Sequence, residues 1–597
     1  MNRIFFFLTA IVFYNTLAAQ VASSYHINFE NAVHHEAQVQ ANFTGLTSDT
    51  VTLQMSRASP GRYALHEFVK NVYGLRVTNG KGDTLKTMRP DPYSWKVTGH
   101  DGAIQVFYTL FANRGDGTYS QIDETHAHLN IPATFLYVPE LADQQMKITF
   151  HPRKDLGWKV ATQLKHESGH SYSAPNLQYF MDSPTEISNY SKRSFKVRGQ
   201  TVNFVLHHNG TEKELDDYFE LVKKVVLEQE AVYGTLAPFD YDEYTFLACY
   251  IPNADGDGME HRNSTICTST RSLASDVANR NIGTVSHEFF HSWNVERIRP
   301  KTLEPFNFQH ANMSGALWFA EGFTSYYTNL ILVRAGIMTP DEYITGLTRT
   351  FNYVWNSPAR QFFTPIGMSQ QAPFVDAAAS VDPVNRENTF ISYYSYGNML
   401  GLALDLSLRG KGLDLDDFMK RMWMTFGKTE IPYTIQDIQN TLADYAGKDF
   451  ADHFFNNYIY KSDMPDMKTL LNTVGVRLSQ DPSKVDFGAV VEAGLITENS
   501  TMGGSAYKVG LDNGDQIIKV NNIPVLASTD FDAFIQTFNP GDTIKVIYQR
   551  FDKTRETPVI LQSSNDYTLS LFESSRTPLT TNQKALRNAW LSSKQIP

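Results

Sequence analysis

The sequence predicts a multidomain fold in which an all-β, sandwich-like domain precedes an α+β domain and a small C-terminal module. The length of 597 residues exceeds what one hydrophobic core supports. Short alternating stretches occupy the first part of the chain, and a mostly helical pattern extends from residue 313 to about 460. The expected boundaries are 20–182 for the β domain, 183–463 for the α+β domain, 464–565 for the module and 566–597 for a polar tail.

Residues 1–19 have the composition of a secretory signal peptide. Arg3 supplies a positive charge, residues 4–14 are apolar, and the small residues Ala18 and Ala19 precede the expected cleavage point. A membrane anchor is the alternative, but the apolar run is shorter than the roughly 20 residues that span a bilayer. We therefore expect a periplasmic or secreted protein that has no membrane contact once the signal is removed.

The net charge argues about binding partners, and the cysteine count limits the possible disulfides and metal sites. The formal net charge of −11 argues against a nucleic-acid partner, because phosphate binding needs clustered Lys and Arg. Cys249 and Cys267 are the two cysteines of the chain. They form either a disulfide in an oxidising compartment or two buried free thiols, and the sequence leaves both open. Two cysteines are too few for a Cys-rich zinc site.

The expected secondary structure changes from strands to helices along the chain. Strands at 25–29, 51–55 and 103–108 are separated by Gly-containing turns, which is typical of an all-β domain. A hairpin around Gly199, a helix over 212–233 and a strand over 244–251 then open the α+β domain.

The segment 284–293 contains the pattern His-Glu-x-x-His. Residues four apart share one face of a helix, so His287 and His291 can reach the same metal ion. Glu288 lies between them, within reach of a water molecule at that ion. We expect this helix to begin after Gly283. Two solvated histidines on a helix surface are the alternative.

The neighbouring residues favour the metal site. Val285, Phe289 and Phe290 make the flanks of the helix apolar, and buried histidines need a partner. Glu321 lies in the apolar stretch 318–327, where an ionised carboxylate is costly unless an arginine or a metal ion compensates it.

Together these residues predict a zinc hydrolase. Two imidazoles and one carboxylate, from His287, His291 and Glu321, would hold one Zn²⁺ per chain with one position open for water. Glu288 would act as general base and later as general acid. A donor for the oxyanion is also needed. Tyr393, Tyr394 and Tyr396 are the candidates, and the residues alone do not choose between them.

Three segments together resemble the glycyl aminopeptidase family of PDZ-bearing gluzincin zinc metallopeptidases. They are residues 287–300, residues 318–323 and the C-terminal module, so the resemblance covers nearly the whole chain after the signal. It implies a thermolysin-like gluzincin peptidase fold for 183–463. Related enzymes have their catalytic Tyr three residues before a Gly that follows Lys. Here Gly397 marks Tyr394, although Tyr396 replaces the Lys.

The resemblance also implies a substrate site at residues 257–261. This segment is similar to a Gly-x-Met-Glu-Asn strand, in which the backbone lines the peptide and the Glu binds its free α-amine. Gly258, Met259 and Glu260 take these roles here, whereas Asp257 and His261 depart from the pattern. The alternative is a plain turn at 255–258 with an exposed Glu260, and a calcium loop there would have only two carboxylates.

The predicted function is therefore a zinc-dependent aminopeptidase that removes N-terminal residues from peptides. A preference for small residues such as Gly or Ala is implied by the family alone. The alternatives are a zinc endopeptidase with the same chemistry and a catalytically inactive scaffold that binds peptides.

The C-terminal module has a resemblance of its own. Residues 505–521 resemble a bacterial PDZ domain, with residues 488–491 as an early strand. Such a module either binds a peptide as an added strand or packs within the chain, and both remain open.

Overall fold

The computed structural model describes residues 21–273, 275–375 and 383–595. The expected signal peptide at residues 1–19 lies outside the described residues. The chain forms an N-terminal β-rich part, a central part that becomes helical and a C-terminal module, so the multidomain order is confirmed. In the described part of the chain, no helix is long and apolar enough to cross a membrane.

A seven-stranded sheet forms the largest layer of the N-terminal domain. Side chains along Glu36–Thr44 and Ala103–Phe111 alternate between more and less buried, so one face of the sheet points into a core. The strands, in spatial order, are Lys165–Ser168, Ser171–Ala174, Met146–His151, Ser23–Asn28, Glu36–Thr44, Ala103–Phe111 and Val72–Asn79.

Two smaller sheets and one short helix, Leu177–Met181, share that hydrophobic core. One sheet contains Thr50–Gln54, Ser94–Thr98 and Thr87–Asp91, and the other Lys159–Thr162, Thr185–Ser188, His126–Leu129 and Gln121–Ile122. The strand Thr185–Ser188 lies beyond residue 182, where we placed the domain boundary. Because it pairs with Lys159–Thr162 and His126–Leu129, it belongs to the N-terminal sheets.

A five-stranded mixed sheet opens the central domain. Its order is Ser191–Val197, Gln200–His208, Glu243–Tyr250, Ser264–Ser269 and Asp257–His261. The first two strands form the expected hairpin, with Val197 opposite Gln200. The last strand, which we call the edge strand, runs antiparallel to its neighbour at the border of the sheet.

Helices build the rest of the central domain around one large core. The expected long helix occupies Glu212–Tyr233, and a reciprocal pair of hydrogen bonds between Thr211 and Glu214 caps its start. The other helices are Ser275–Phe290, Leu317–Ala320, Gly322–Arg334, Pro340–Trp355, Pro365–Gln370, Ala372–Val375, Arg386–Thr389, Tyr393–Arg409, Leu415–Met422, Ile435–Ala446, Lys448–Phe454 and Met467–Thr473.

Cys249 and Cys267 are buried free thiols on neighbouring strands. Cys267 lies opposite Ala248, and Cys249 lies opposite Thr268. Successive side chains of a strand point to opposite faces, so the two thiols lie on different faces of the sheet. This register explains why they do not pair.

The C-terminal module has a core of its own. Its main sheet contains Val491–Glu492, Leu495–Ile496, Gln516–Val520, Ile523–Pro524, Thr543–Arg550 and Lys553–Ile560, and its helices are Ser505–Lys508 and Phe531–Ile535. Of the early strand that we expected at 488–491, only Val491 lies in a strand. Gly488 has a φ of 76°, which is incompatible with extended backbone.

The segments on both sides of the module return to the central domain. Val476–Gln480 pairs with Tyr567–Leu571, and Val485–Asp486 pairs with Gln562–Ser563 at the entrance of the module. The tail forms the helix Thr581–Leu591, whose Trp590 is 0% exposed. Trp590 Nε1 donates to the Tyr326 hydroxyl at 2.9 Å, so the tail completes the central core.

Candidate metal and substrate site

The helix that carries the first two candidate ligands extends from Ser275 to Phe290. We expected it to begin after Gly283, and this was wrong because Gly283 lies inside it. A glycine costs about 1 kcal/mol relative to alanine within a helix. Ile282 and Val285, both 0% exposed, anchor the helix in the core and offset that cost.

The two histidines turn one ring nitrogen each towards the Glu321 carboxylate. The distances from Nε2 to Glu321 Oε2 are 3.5 Å for His287 and 3.2 Å for His291. The opposite nitrogens have outer partners, at 3.0 Å from Thr328 Oγ1 and 2.6 Å from the Asn294 carbonyl oxygen, respectively. Such outer partners are typical of metal-ligating histidines. The three ligand atoms lie within 4.8 Å of one another.

The charges around His287, His291 and Glu321 favour a bound cation. Burial alone would raise the pKa of Glu321, but the facing His291 and His287 hold that pKa below its usual range. Burial lowers the pKa of His291, whereas Glu321 and Glu260 raise it more strongly, to about 10. Two imidazole nitrogens and one carboxylate form a donor set that fits a divalent metal ion.

Glu288 lies on the same helix and faces the same space. Burial raises its pKa far above the usual range, and Glu260 and Glu321 add to the rise while His291 opposes it. Its Oε2 is buried and has no hydrogen-bond partner among the described residues. A carboxyl group with a raised pKa can both accept and return a proton near neutral pH.

The edge strand approaches Glu288 through a glycine. A β-carbon built on Gly258 would lie 2.1 Å from Glu288 Oε1 and 2.8 Å from Thr284 Cγ2. Only glycine therefore leaves space for the carboxyl group at this position. The edge strand thus holds its backbone directly beside the candidate proton carrier.

Glu260 is a buried part of the site. It lies in the edge strand at 6% exposure, which overturns the alternative of an exposed side chain after a plain turn. One carboxylate oxygen of Glu260, one of Glu288 and a ring nitrogen of His291 lie within 4.8 Å of one another. Burial raises the pKa of Glu260. A positively charged partner would offset the loss of hydration that the buried, ionised carboxyl group suffers.

The two departures from the family pattern in the edge strand have structural partners. Asp257 forms an ion pair with Arg62 and accepts a hydrogen bond from the Gly117 backbone N–H at 2.8 Å. Nδ1 of His261 lies 2.8 Å from Asp182 Oδ1. Both residues thus tie the edge strand to the N-terminal domain.

The structure separates the three tyrosines that the sequence left undecided. Tyr393 and Tyr396 are 1% and 0% exposed and pack in the core. Tyr394 lines the cavity beside the metal ligands, and its ring centroid lies 5.9 Å from that of His287. Among these three, Tyr394 is therefore the residue that can reach a bound molecule.

The cavity in front of these residues has a volume of about 570 Å³. It is large enough for several residues of a peptide. Its lining includes Asp257, Gly258, Thr268, Arg271, His287, Glu288 and Tyr394.

Sequence reasoning missed a residue that the N-terminal domain contributes. The Tyr63 hydroxyl donates a hydrogen bond to Glu321 Oε1 at 2.5 Å, across 258 positions of sequence. Beside it, a β-carbon built on Gly61 would lie 2.6 Å from Met259 Cγ and 3.2 Å from Glu260 Oε2. No spacing or periodicity in the sequence links these distant segments.

Comparison with known proteins agrees with this geometry. Residues 24–189 match the peptidase M61 N-terminal domain, and residues 280–400 match the M61 glycyl aminopeptidase domain. The crystal structure of an aminopeptidase N family protein from Idiomarina loihiensis has a TM-score of 0.84 to this chain. It is 25% identical, over 96% of this chain and 100% of that one.

A shorter similarity involves two serine proteases. Serine protease Do-like HtrA from two Lactococcus lactis subspecies is 33% identical over 86 residues, or 14% of this chain. The matched part spans about a fifth of the length of these curated relatives, 21% in each case. This match therefore concerns one segment of each protein.

The fold and the site are those of a peptidase with a candidate metal centre between its N-terminal and central domains. The chain contains segments that match both M61 family models, the N-terminal domain at residues 24–189 and the glycyl aminopeptidase domain at residues 280–400.

Proposed function

We propose that this protein is a zinc-dependent aminopeptidase that removes small N-terminal residues, Gly or Ala, from peptides. The observation that carries the proposal is the position of Glu260. Its buried carboxyl group lies within 4.8 Å of Glu288 and His291, in an edge strand that can pair with a peptide. An ammonium group at that point places the first peptide bond of a substrate beside Glu288.

One zinc ion per chain fits the ligand set of His287, His291 and Glu321, because two imidazoles and a carboxylate leave one position open. Zinc bound there supplies the Lewis acid that polarises the scissile carbonyl. Glu260, Glu288 and His291 form a second cluster of possible ligands. Burial raises the pKa values of its two carboxyl groups. We therefore propose that Glu260 binds the substrate and that Glu288 transfers the proton.

Residues of the chain carry out proton transfer, oxyanion stabilisation and substrate binding. Glu288 accepts a proton from the attacking water and returns it to the leaving amine. The Tyr394 hydroxyl donates a hydrogen bond to the oxyanion. The backbone of Gly258 and Met259 aligns the peptide along the edge strand, and Glu260 binds its α-ammonium group.

Packing around Glu260 supports the preference for small residues. The large cavity extends along Gly258 and Tyr394, away from the ammonium end. At that end Tyr63, Met259 and Glu260 are 4%, 1% and 6% exposed, and Gly61 lies against Met259. This leaves little space for a first side chain, whereas the following residues can occupy the cavity.

The C-terminal module is proposed to be a PDZ domain that packs within the chain. The Asn388 side chain donates to the Ser500 carbonyl oxygen at 3.0 Å and accepts from the Met502 backbone N–H at 2.7 Å. The Gln536 amide donates to the Val485 carbonyl oxygen at 2.8 Å and accepts from its N–H at 3.0 Å. The second pair of bonds lies within the module and joins Val485 to the residue that follows the helix Phe531–Ile535. A bound peptide ligand remains the competing hypothesis.

The expected signal peptide supports a periplasmic or secreted location.

A single substrate panel tests the enzymatic proposal. Free and N-acetylated Gly, Ala, Leu and Phe peptides are incubated with the purified protein, with and without a chelator. We expect chelator-sensitive cleavage of free Gly and Ala peptides only. Equal cleavage of acetylated peptides would instead identify an endopeptidase, and a zinc-free protein without turnover would identify a scaffold.

A further inference from the structure

The two oxygens of the Glu321 carboxylate have different partners. Oε2 faces His291 Nε2 at 3.2 Å and His287 Nε2 at 3.5 Å. Oε1 accepts the hydrogen bond from the Tyr63 hydroxyl at 2.5 Å. One oxygen thus points into the metal site, while a residue of the N-terminal domain holds the other.

Tyr63 is itself firmly held. It is 4% exposed, and its ring packs edge-to-face against Tyr393 at a centroid distance of 6.2 Å. The preceding Arg62 forms an ion pair with Asp257, and its Nε donates to Thr118 Oγ1 at 2.6 Å. The hydroxyl of Tyr63 is therefore fixed relative to both domains before a metal or a substrate binds.

A carboxylate that ligates a metal through one oxygen still needs a partner for the other when it is buried. Outer hydrogen bonds of this kind orient the ligand and increase metal affinity. Without the Tyr63 hydroxyl, the buried Oε1 of Glu321 loses the partner that holds its orientation.

We propose that Tyr63 is a positioning residue of the metal centre and that the N-terminal β domain is therefore part of this centre. Its hydroxyl presents Glu321 Oε2 to the ion. The proposal rests on the metal site named above but not on the aminopeptidase assignment. It predicts that zinc affinity, and not only turnover, depends on a side chain outside the peptidase domain.

The test compares the full-length wild type with Tyr63→Phe, which removes a single oxygen atom. Zinc affinity is measured by competition with a chromogenic chelator, and the Co²⁺-substituted proteins are compared by visible absorption. Loss of an outer partner typically weakens metal affinity about 10–100-fold. We expect a loss of that size and a shifted Co²⁺ spectrum.

Tyr433→Phe provides a matched control. Tyr433 is 1% exposed in the same core, and burial, followed by the charge of Glu321, raises its pKa. Its hydroxyl has no hydrogen-bond partner among the described residues. This variant should keep the wild-type zinc affinity. Each variant is also melted with and without zinc, so that the zinc-dependent shift in Tm is independent of any change in basal stability.

Arg62→Lys provides a second variant for the case that Tyr63→Phe does not fold. It keeps the positive charge but loses the bond to Thr118, so it should loosen the segment and weaken zinc binding to a smaller extent. Wild-type affinity and Co²⁺ spectrum in Tyr63→Phe, or in Arg62→Lys where the first variant does not fold, would overturn the proposal. A wild type that binds no zinc would overturn the metal site itself.

Discussion

Gly322 and Gly397 bring two helix backbones into contact beside the candidate metal site. A β-carbon built on Gly322 would lie 2.3 Å from Cα of Gly397, and one built on Gly397 would lie 1.9 Å from the Trp318 carbonyl oxygen. Glu321 directly precedes the first glycine, and Tyr394 lies three residues before the second. The contact therefore sets the separation between a metal ligand and the proposed oxyanion donor.

The first prediction concerns this contact. Gly397→Ala should destabilise the protein by about 1–3 kcal/mol, because the added methyl group forces the helices apart. It should also reduce turnover, since Glu321 and Tyr394 move relative to each other. Urea denaturation and peptidase kinetics measure both effects. Gly346→Ala is the control: its β-carbon would meet nothing within 4 Å, so its stability should be unchanged or up to about 1 kcal/mol higher.

Glu288→Gln should separate metal binding from catalysis. We expect normal zinc stoichiometry and a kcat that is lower by about 10²–10⁴, the usual contribution of general acid–base catalysis. Glu321→Gln should instead lose zinc and activity together. Metal analysis and steady-state kinetics on the same preparations distinguish the two variants. Wild-type turnover in Glu288→Gln would refute its assignment.

Glu260→Gln should impair the recognition of free N-termini. Hydrogen bonds to charged groups contribute about 1.5–3 kcal/mol, so kcat/KM for free peptides should fall about 10–100-fold. Poor cleavage of N-acetylated peptides should not become worse. Paired assays on free and acetylated Ala peptides check this expectation. An equal loss on both substrates would mean that Glu260 acts on the metal centre rather than on the amine.

The stability of the metal-free protein should depend on the protonation of Glu296. Burial, followed by Asp182, raises the pKa of Glu296 to about 7, while Arg299 opposes the rise. The folded state keeps this proton after the unfolded chain has lost it. Its contribution is therefore full below about pH 4.5 and is lost as the pH rises to about 7.

The loss in unfolding free energy should be about 2–3 kcal/mol, since one pKa unit corresponds to about 1.4 kcal/mol. Glu296→Gln should remove this part of the pH dependence, and the exposed Glu124→Gln should leave it unchanged. Urea denaturation at about pH 5 and about pH 8 gives the comparison. A slope that persists in Glu296→Gln would show that another group is responsible.

Trp590→Ala should destabilise the central domain by about 3–5 kcal/mol, because it leaves a large buried cavity and removes the partner of Tyr326. Lys584 is exposed on the same helix, and Lys584→Ala should change stability by less than about 0.5 kcal/mol. Thermal unfolding of both variants makes the comparison. Similar Tm values would show that the tail helix contributes little to the core.

The sequence predicted those parts of the site that depend on local spacing. His287, Glu288 and His291 follow from helical periodicity, and Glu321 follows from the cost of burying a carboxylate. Tyr394 and Glu260 required a family resemblance, because several tyrosines and carboxylates have equivalent local patterns. The resemblance located Tyr394 through Gly397. The structure shows why a glycine is needed at position 397, because the contact between the two helices leaves no space for a β-carbon.

The remaining parts depend on contacts between distant segments. Tyr63 reaches Glu321 across 258 positions, and Asp257 finds its partner in Arg62, so no local window contains these pairs. The helix start was misplaced because glycine propensity at Gly283 suggested a boundary that buried neighbours override. The packing of the tail helix likewise depends on a distant contact, from Trp590 to Tyr326.

The return of the chain after the module has a consequence for folding. Val476 pairs with Leu571, and 571 − 476 − 1 gives 94 intervening residues. Closing a disordered loop costs entropy that grows with the logarithm of its length. The module shortens this path once it folds, because Val485 and Ser563 pair at its entrance. If the module folds first, the strands at Val476 and Leu571 close a much shorter effective loop, and the entropy cost of that step falls.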